Sequence, residues 1–145
     1  MTVMKETADA GKGFSLKDAT SLGRYIYEGR VQHYSACFEK EVPEFRAVDI
    51  YVVPVTERCP ARPGVSVSVP KAPDLTGGRV EESLLEALLS GYYPKRLQVF
   101  KIGDSSKSVP PRPLANWRVC AQNPEGGTKL DVAGSMKFYV AKKCP

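Results

Sequence analysis

The sequence predicts an α+β protein made of two small units, residues 1–62 and 63–145. Each is expected to be a helix packed on an antiparallel sheet and closed by one disulfide, the second unit clear and the first degenerate. Three observations carry this reading. Residues 117–122 and 136–142 are β-like runs rich in Val, Phe, Tyr and Trp, separated by Pro124, Gly126, Gly127 and Gly134, which is the pattern of a hairpin with a long turn. Residues 79–90 carry a wide apolar stripe of Val80, Leu84, Leu85, Leu88 and Leu89 at helical spacing. The four cysteines fall in two pairs of similar span, Cys37 with Cys59 and Cys120 with Cys144.

In chain order, residues 1–12 are polar and read as a frayed end. Ser15 offers an N-cap with Asp18 three residues on. Leu16, Ala19, Leu22 and Ile26 then recur at helical spacing up to Gly29, which predicts a first helix. Residues 31–39 alternate as a strand, Pro43 marks a turn, and residues 48–53 are a β-branched strand. The run 60–64, with Pro60, Pro63 and Gly64, reads as a stiff connector, and residues 65–69 as a short strand ending at Pro70. The 79–90 helix has Glu81 and Glu82 in its first turn, where the helix dipole favours anions, and Gly91 as its stop. A strand over 97–102 precedes a Ser- and Pro-rich solvated loop, 103–114, that leads into the hairpin.

In an antiparallel hairpin the start of the first strand lies beside the end of the second. Cys120 and Cys144 occupy those two places, and Cys37 and Cys59 sit similarly around the earlier hairpin, so these are the bridges to draw. The alternative is four buried thiols in a reducing compartment. No Cys-x-x-Cys pair is present and His33 is the single histidine, so a zinc site of ordinary spacing is excluded. Bridged cysteines imply an extracellular or cell-envelope location. The start shows no signal-peptide pattern, which is read as uninformative, and no apolar run is long enough to cross a membrane. The shared order of elements, each ending in Cys-Pro, suggests an internal duplication.

From residue 67 onward the chain resembles a PASTA domain, the repeat carried by penicillin-binding proteins and bacterial Ser/Thr kinases. The matching residues are Val69-Pro70, the Pro-Asp-Leu-Thr-Gly run at 73–77 and the helix 80–89. The Val-x-x-Gln-x-Pro-x-x-Gly-Thr pattern over 119–128 and the strand 136–141 complete it. The pattern at 119–128 is the specific part, and the long loop 103–114 departs from the family. The Asn116-Trp117 opening and the terminal Cys144-Pro145 look like the disulfide-bearing type found in small exported actinobacterial proteins. The resemblance implies one helix on a three-stranded sheet with no active site, and a role in binding cell-wall peptidoglycan or spacing at the wall. Residues 1–62 share only the hairpin and the cysteines, so their kinship is an inference from pattern.

No catalytic residue set, cofactor or metal is expected: one histidine on a strand with no flanking motif cannot furnish a triad, and Glu81 and Glu82 are adjacent rather than paired. The candidate ligand-binding residues are Tyr92, Tyr93, Lys95, Arg96, Arg112, Trp117 and Arg118, because an aromatic face with donors and a guanidinium suits glycan or peptide carboxylates. The competing reading puts Trp117 in the core and leaves the bases solvated. The net charge of +5 lies entirely in residues 63–145, which hold twelve Lys or Arg against seven Asp or Glu. That balance suits an anionic partner, but no nucleic-acid motif accompanies it, and nucleic acid is not the expected partner. The rival function is a protein-protein recognition module of inhibitor or toxin type.

Overall fold

The computed structural model describes residues 13–104 and 106–145. The chain divides into two compact units between Ser68 and Val69. The expected frayed segment 1–12 lies outside the described residues.

The first unit is a three-stranded sheet, β1 (Gly13–Asp18), β2 (Tyr34–Val42) and β3 (Ala47–Pro54), in the order β1-β3-β2. Residues predicted to open a helix form β1 instead. Ser15 donates its hydroxyl hydrogen to Asp49, 2.8 Å away, rather than capping a helix, and Leu16 lies opposite Ile50 in the core. The apolar spacing through Leu22 and Ile26 is overridden by Asp18, whose carboxylate accepts the backbone N–H of both Thr20 and Arg24, at 3.0 Å each. Gly23 then takes a positive φ of 68°. Among the described residues this unit has no α-helix, only 3₁₀ turns at Glu28–His33 and Pro43–Phe45. Its core is Leu16, Ile26, Tyr34, Val48, Ile50 and Val52. The short strand expected at 65–69 is reduced to a single bridge from Val65 to Thr20.

The second unit holds helix α1 (Val80–Ser90) and strands β4 (Leu97–Lys101), β5 (Arg118–Asn123) and β6 (Met136–Ala141), in the order β4-β6-β5. Among the described residues, no side chain caps α1. The N–H of Val80 donates to the Trp117 carbonyl at 2.9 Å and that of Glu81 to the Ala115 carbonyl at 3.2 Å, so the hairpin satisfies the donors that a helix start leaves open. Gly91, at φ 113°, ends the helix as expected. Val80, Ser83 and Ala87 form its buried face, set in a core with Val99, Val119, Met136, Phe138 and Val140. Each large apolar side chain fully buried there contributes about 1.5–3 kcal/mol.

Contrary to the antiparallel sheets expected from the sequence, both sheets are mixed. β1 runs parallel to β3 and β4 parallel to β6, while β2 and β5 are the antiparallel partners. The reason is the long connection from the first strand to the second in each unit: the first strand joins the far side of the third rather than forming a hairpin with the second. The two sheets therefore share one topology. Both carry a register shift at a cysteine, between Ala36 and Phe38 and between Val119 and Ala121, and both have the bridge predicted from the sequence, Cys37–Cys59 and Cys120–Cys144. Bridges of this kind fit an oxidising compartment. Among the described residues, no helix is long and apolar enough to cross a membrane.

Candidate functional site

The residues that carry the family resemblance prove to be architectural. The Gln122 side chain is buried and accepts the Leu75 N–H at 2.6 Å. Its amide donates to the carbonyls of Pro73 and Pro124 at 2.8 and 3.0 Å. A side chain at Gly126 would place Cβ 2.6 Å from the Asp74 Cα, so only glycine lets the two segments touch. Backbone bonds from Ala72 to Thr128 and from Leu130 to Pro70 extend the same junction. The motif thus pins residues 70–75 to the turn beyond β5, which in turn sets the entry to α1.

The predicted site residues do not gather in one place: Tyr92, Tyr93, Lys95 and Arg96 lie between the end of α1 and the start of β4, whereas Trp117 and Arg118 lie at the start of β5, beside the N-terminus of α1. Tyr92 is wholly buried in the core, and its hydroxyl has no hydrogen-bond partner among the described residues. Burial pushes its pKa up, and Asp131 adds to the effect. Tyr93 is exposed and opens the 3₁₀ turn Pro94–Arg96, on which Lys95 and Arg96 also face solvent. Arg112 is exposed at the start of a second 3₁₀ turn, Arg112–Leu114. The loop leading there is not wholly solvated as expected: Val109 donates to the Val99 carbonyl at 2.8 Å and packs on the core, and Leu114 is buried.

Between these turns lies an apolar groove of about 290 Å³, lined by Leu84 and Leu88 of α1, Leu97 of β4, Val109, Pro94 and Pro111. Lys95 and Arg96 directly follow Pro94 in the chain and Arg112 follows Pro111; all three are exposed, and none of them lines the groove itself. A second hollow, of about 340 Å³, is acidic, with Asp74, Glu82 and Glu86 on its walls. Hydrogen bonds from Thr76 hold the Asp74 carboxyl below the usual range, and the Arg79 guanidinium does the same for Glu82.

Trp117 is half-buried and packs against the core of the second unit, as the competing reading proposed, yet it keeps some solvent exposure. Lys101 and Lys142 approach it, with Nζ atoms 5.5 and 5.9 Å from its ring centroid. Neither lysine was singled out from the sequence. The available signal was strand alternation, which puts Lys101 on the same sheet face as Val99. Arg118 opens β5, is exposed, and donates to the Gly77 carbonyl over a long 3.4 Å. Among the described residues, no group of three or more His, Cys, Asp or Glu could hold a metal ion.

No family model matches the chain, and no curated protein matches it.

Proposed function

We propose that the protein is a non-catalytic binding module of the cell envelope or extracellular space, and that its second unit takes peptidoglycan-type wall material. The groove between α1 and the Pro94 and Pro111 turns carries this reading. An apolar groove whose Pro94 and Pro111 walls are followed in the chain by the exposed cations Lys95, Arg96 and Arg112 suits a short peptide with aliphatic side chains in the groove and carboxylates that reach the cations. Its volume is at the lower end for ligand sites, in keeping with a few residues rather than a whole folded partner. The two bridges support an oxidising location.

The test is sedimentation of the oxidised protein with insoluble peptidoglycan. Retention of the parent, with weaker retention of Leu88→Gln and of an Arg96→Ser, Arg112→Ser double variant, is the expected result. Equal retention of all three rejects the groove, and failure of the parent to sediment rejects the wall as partner.

A second reading, protein recognition, draws on the first unit. Phe45 is 78% exposed at the β2–β3 turn, and the N–H of Gly13, the neighbour of partly exposed Phe14, donates to the Arg46 carbonyl at that same turn. Aromatic residues are enriched at protein interfaces, which is what favours this reading. A Phe45→Ser variant that keeps wall retention but loses capture of a protein partner favours it.

A further inference from the structure

We propose that Trp117, Lys101 and Lys142 form a second site, for the anionic group of a carboxylate- or phosphate-bearing saccharide chain. The inference rests on the reading of the second unit as an envelope-polymer binder, but it invokes residues apart from the groove.

The register fixes the juxtaposition. Lys101 lies opposite Val140 on β6, and Val119 lies opposite Val140 from the other side. Two residues beyond Val140 is Lys142, and two before Val119 is Trp117. Since side chains alternate along strands, all three belong to the helix-bearing face, at the end of the sheet where the C-terminal ends of β4 and β6 meet the start of β5. The ring is half-buried and both lysines are exposed, so the cluster sits where the core gives way to solvent.

Its electrostatics are uncompensated. Among the described residues, no carboxylate lies within ion-pair distance of Lys101 or Lys142. Asp104, the acid nearest in the chain, accepts a hydrogen bond from the Ser106 hydroxyl at 2.7 Å instead. Two ammonium groups drawn to one indole are favoured by the ring quadrupole and opposed by each other. An anion bound beside the two ammonium groups would offset that repulsion. Lys143 follows directly and adds to the local positive field, within a unit whose cations outnumber its acids by twelve to seven. An indole beside paired cations suits a sugar: the ring packs on the C–H face of a pyranose while the ammonium groups hold its acidic substituent. Lysine, a compact point charge without the guanidinium fork, does not itself choose between carboxylate and phosphate.

Trp117 is the single tryptophan of the chain, so its emission reads this site directly. Tetragalacturonate supplies carboxylates, mannopentaose phosphate supplies a phosphate, chitotetraose is the neutral control and oligothymidylate the nucleic-acid control. Saturable change in Trp117 emission with one or both anionic saccharides is expected, weakening with added salt, and whichever one binds names the anion. Chitotetraose should bind at least tenfold more weakly. A Lys101→Gln, Lys142→Gln double variant should lose at least tenfold in affinity while its melting temperature stays within a degree or two, since both side chains are exposed. Equal binding of chitotetraose, tighter binding of oligothymidylate, no response to either anionic saccharide, or unchanged affinity in the double variant would each overturn the proposal. Wall sedimentation by a protein that gives no emission response removes this site and leaves the binding function standing. An emission response without sedimentation does the opposite.

Discussion

Arg24 is the residue whose removal should most damage the first unit. Its side chain is 3% exposed and its donors are shared between two carboxylates, Asp18 at 2% exposure and Glu57 at 33%. Nε and Nη2 donate to the two oxygens of Asp18 at 2.9 and 3.2 Å, and Nη1 and Nη2 to those of Glu57 at 2.7 and 3.0 Å. The result ties the end of β1 to the turn after β3. In the Arg24→Ala variant Glu57 can rehydrate, so its half of the loss is small. Asp18 cannot, and loses two charge-assisted bonds at about 1.5–3 kcal/mol each. It keeps the N–H of Thr20, the hydroxyl of Thr20 and the N–H of residue 24, which holds the total near the low end, at about 3 kcal/mol. That is roughly a hundredfold in an opening equilibrium. Amide hydrogen exchange along the β1–β3 ladder is the assay, because Trp117 fluorescence reports only the other unit. Protection should fall about a hundredfold in Arg24→Ala, and Arg24→Lys should recover little of it, since one ammonium cannot make two forked contacts. A loss under about threefold, or full recovery by lysine, refutes the reasoning.

The triad also sets a pH dependence. Burial pushes the Asp18 carboxyl up, but hydrogen bonds from Arg24 and Thr20 outweigh it and hold the carboxyl below its ordinary value. For Arg24, burial acts to lower the pKa, and the bonds to Glu57 and Asp18 outweigh it and raise it further. A depressed carboxyl stabilises the fold above its unfolded pKa, about 3.9, and that contribution is lost as pH falls through the folded value. Ladder protection should therefore drop below about pH 4 in the parent, and the drop should be shallower in Arg24→Ala.

Three further outcomes follow from the structure. Gln122→Leu leaves the Leu75 N–H and the Pro73 carbonyl without their partner, and should lower the stability of the second unit by about 2–3 kcal/mol, read by Trp117 fluorescence in urea; an unchanged midpoint rejects the clamp. Tyr92→Phe removes a buried hydroxyl without a hydrogen-bond partner among the described residues, so it should leave the urea midpoint unchanged or raise stability by about 1 kcal/mol, and a clear loss would reveal a partner for that hydroxyl. Each disulfide joins residues 22 or 24 apart, worth about 3 kcal/mol in the chain-entropy model, so reductant should lower the melting temperature markedly; an unmoved melt counts against the bridges.

Local chemistry was legible where one residue type dominates. The β-branched run around Ile50 and the alternation through Phe138 mark strands, and the leucine stripe ending at Gly91 marks α1. The cysteines paired as hairpin geometry requires. What stayed hidden depended on partners far along the chain. Leu16 and Ile26 have helical spacing, but their burial is decided by Ile50 and by the Asp18 carboxylate, which no local window contains. Parallel pairing of β4 with β6 leaves no trace in either strand. Val109 and Leu114 are apolar residues in a Pro- and Ser-rich run; Val109 docks on the open edge of β4 through the Val99 carbonyl, and Leu114 is buried in the turn that packs on α1. Among the proposed ligand residues, Tyr92 and Trp117 looked alike in sequence, yet one is sealed in the core and the other reaches solvent with two lysines on it.

The common topology of the units makes their difference informative. Phe38 and Ala121 lie opposite Tyr51 and Tyr139, and the next residues, Glu39 and Gln122, lie opposite Ile50 and Phe138, so Glu39 stands in the first unit where Gln122 stands in the second. Glu39 is exposed, whereas Gln122 is the buried clamp. Both sheets are small, and both must hold an irregular segment that they cannot pair by regular ladders. The second unit does so with a neutral amide, which makes both a donor and an acceptor contact without a charge to desolvate. The first does so with an arginine and two carboxylates, an arrangement that tolerates loss of a partner poorly. An amide does not titrate and a carboxylate does, so the same architectural task is insensitive to acid in one half of the chain and sensitive in the other. The segment that carries the candidate ligand sites is the half with the neutral clamp.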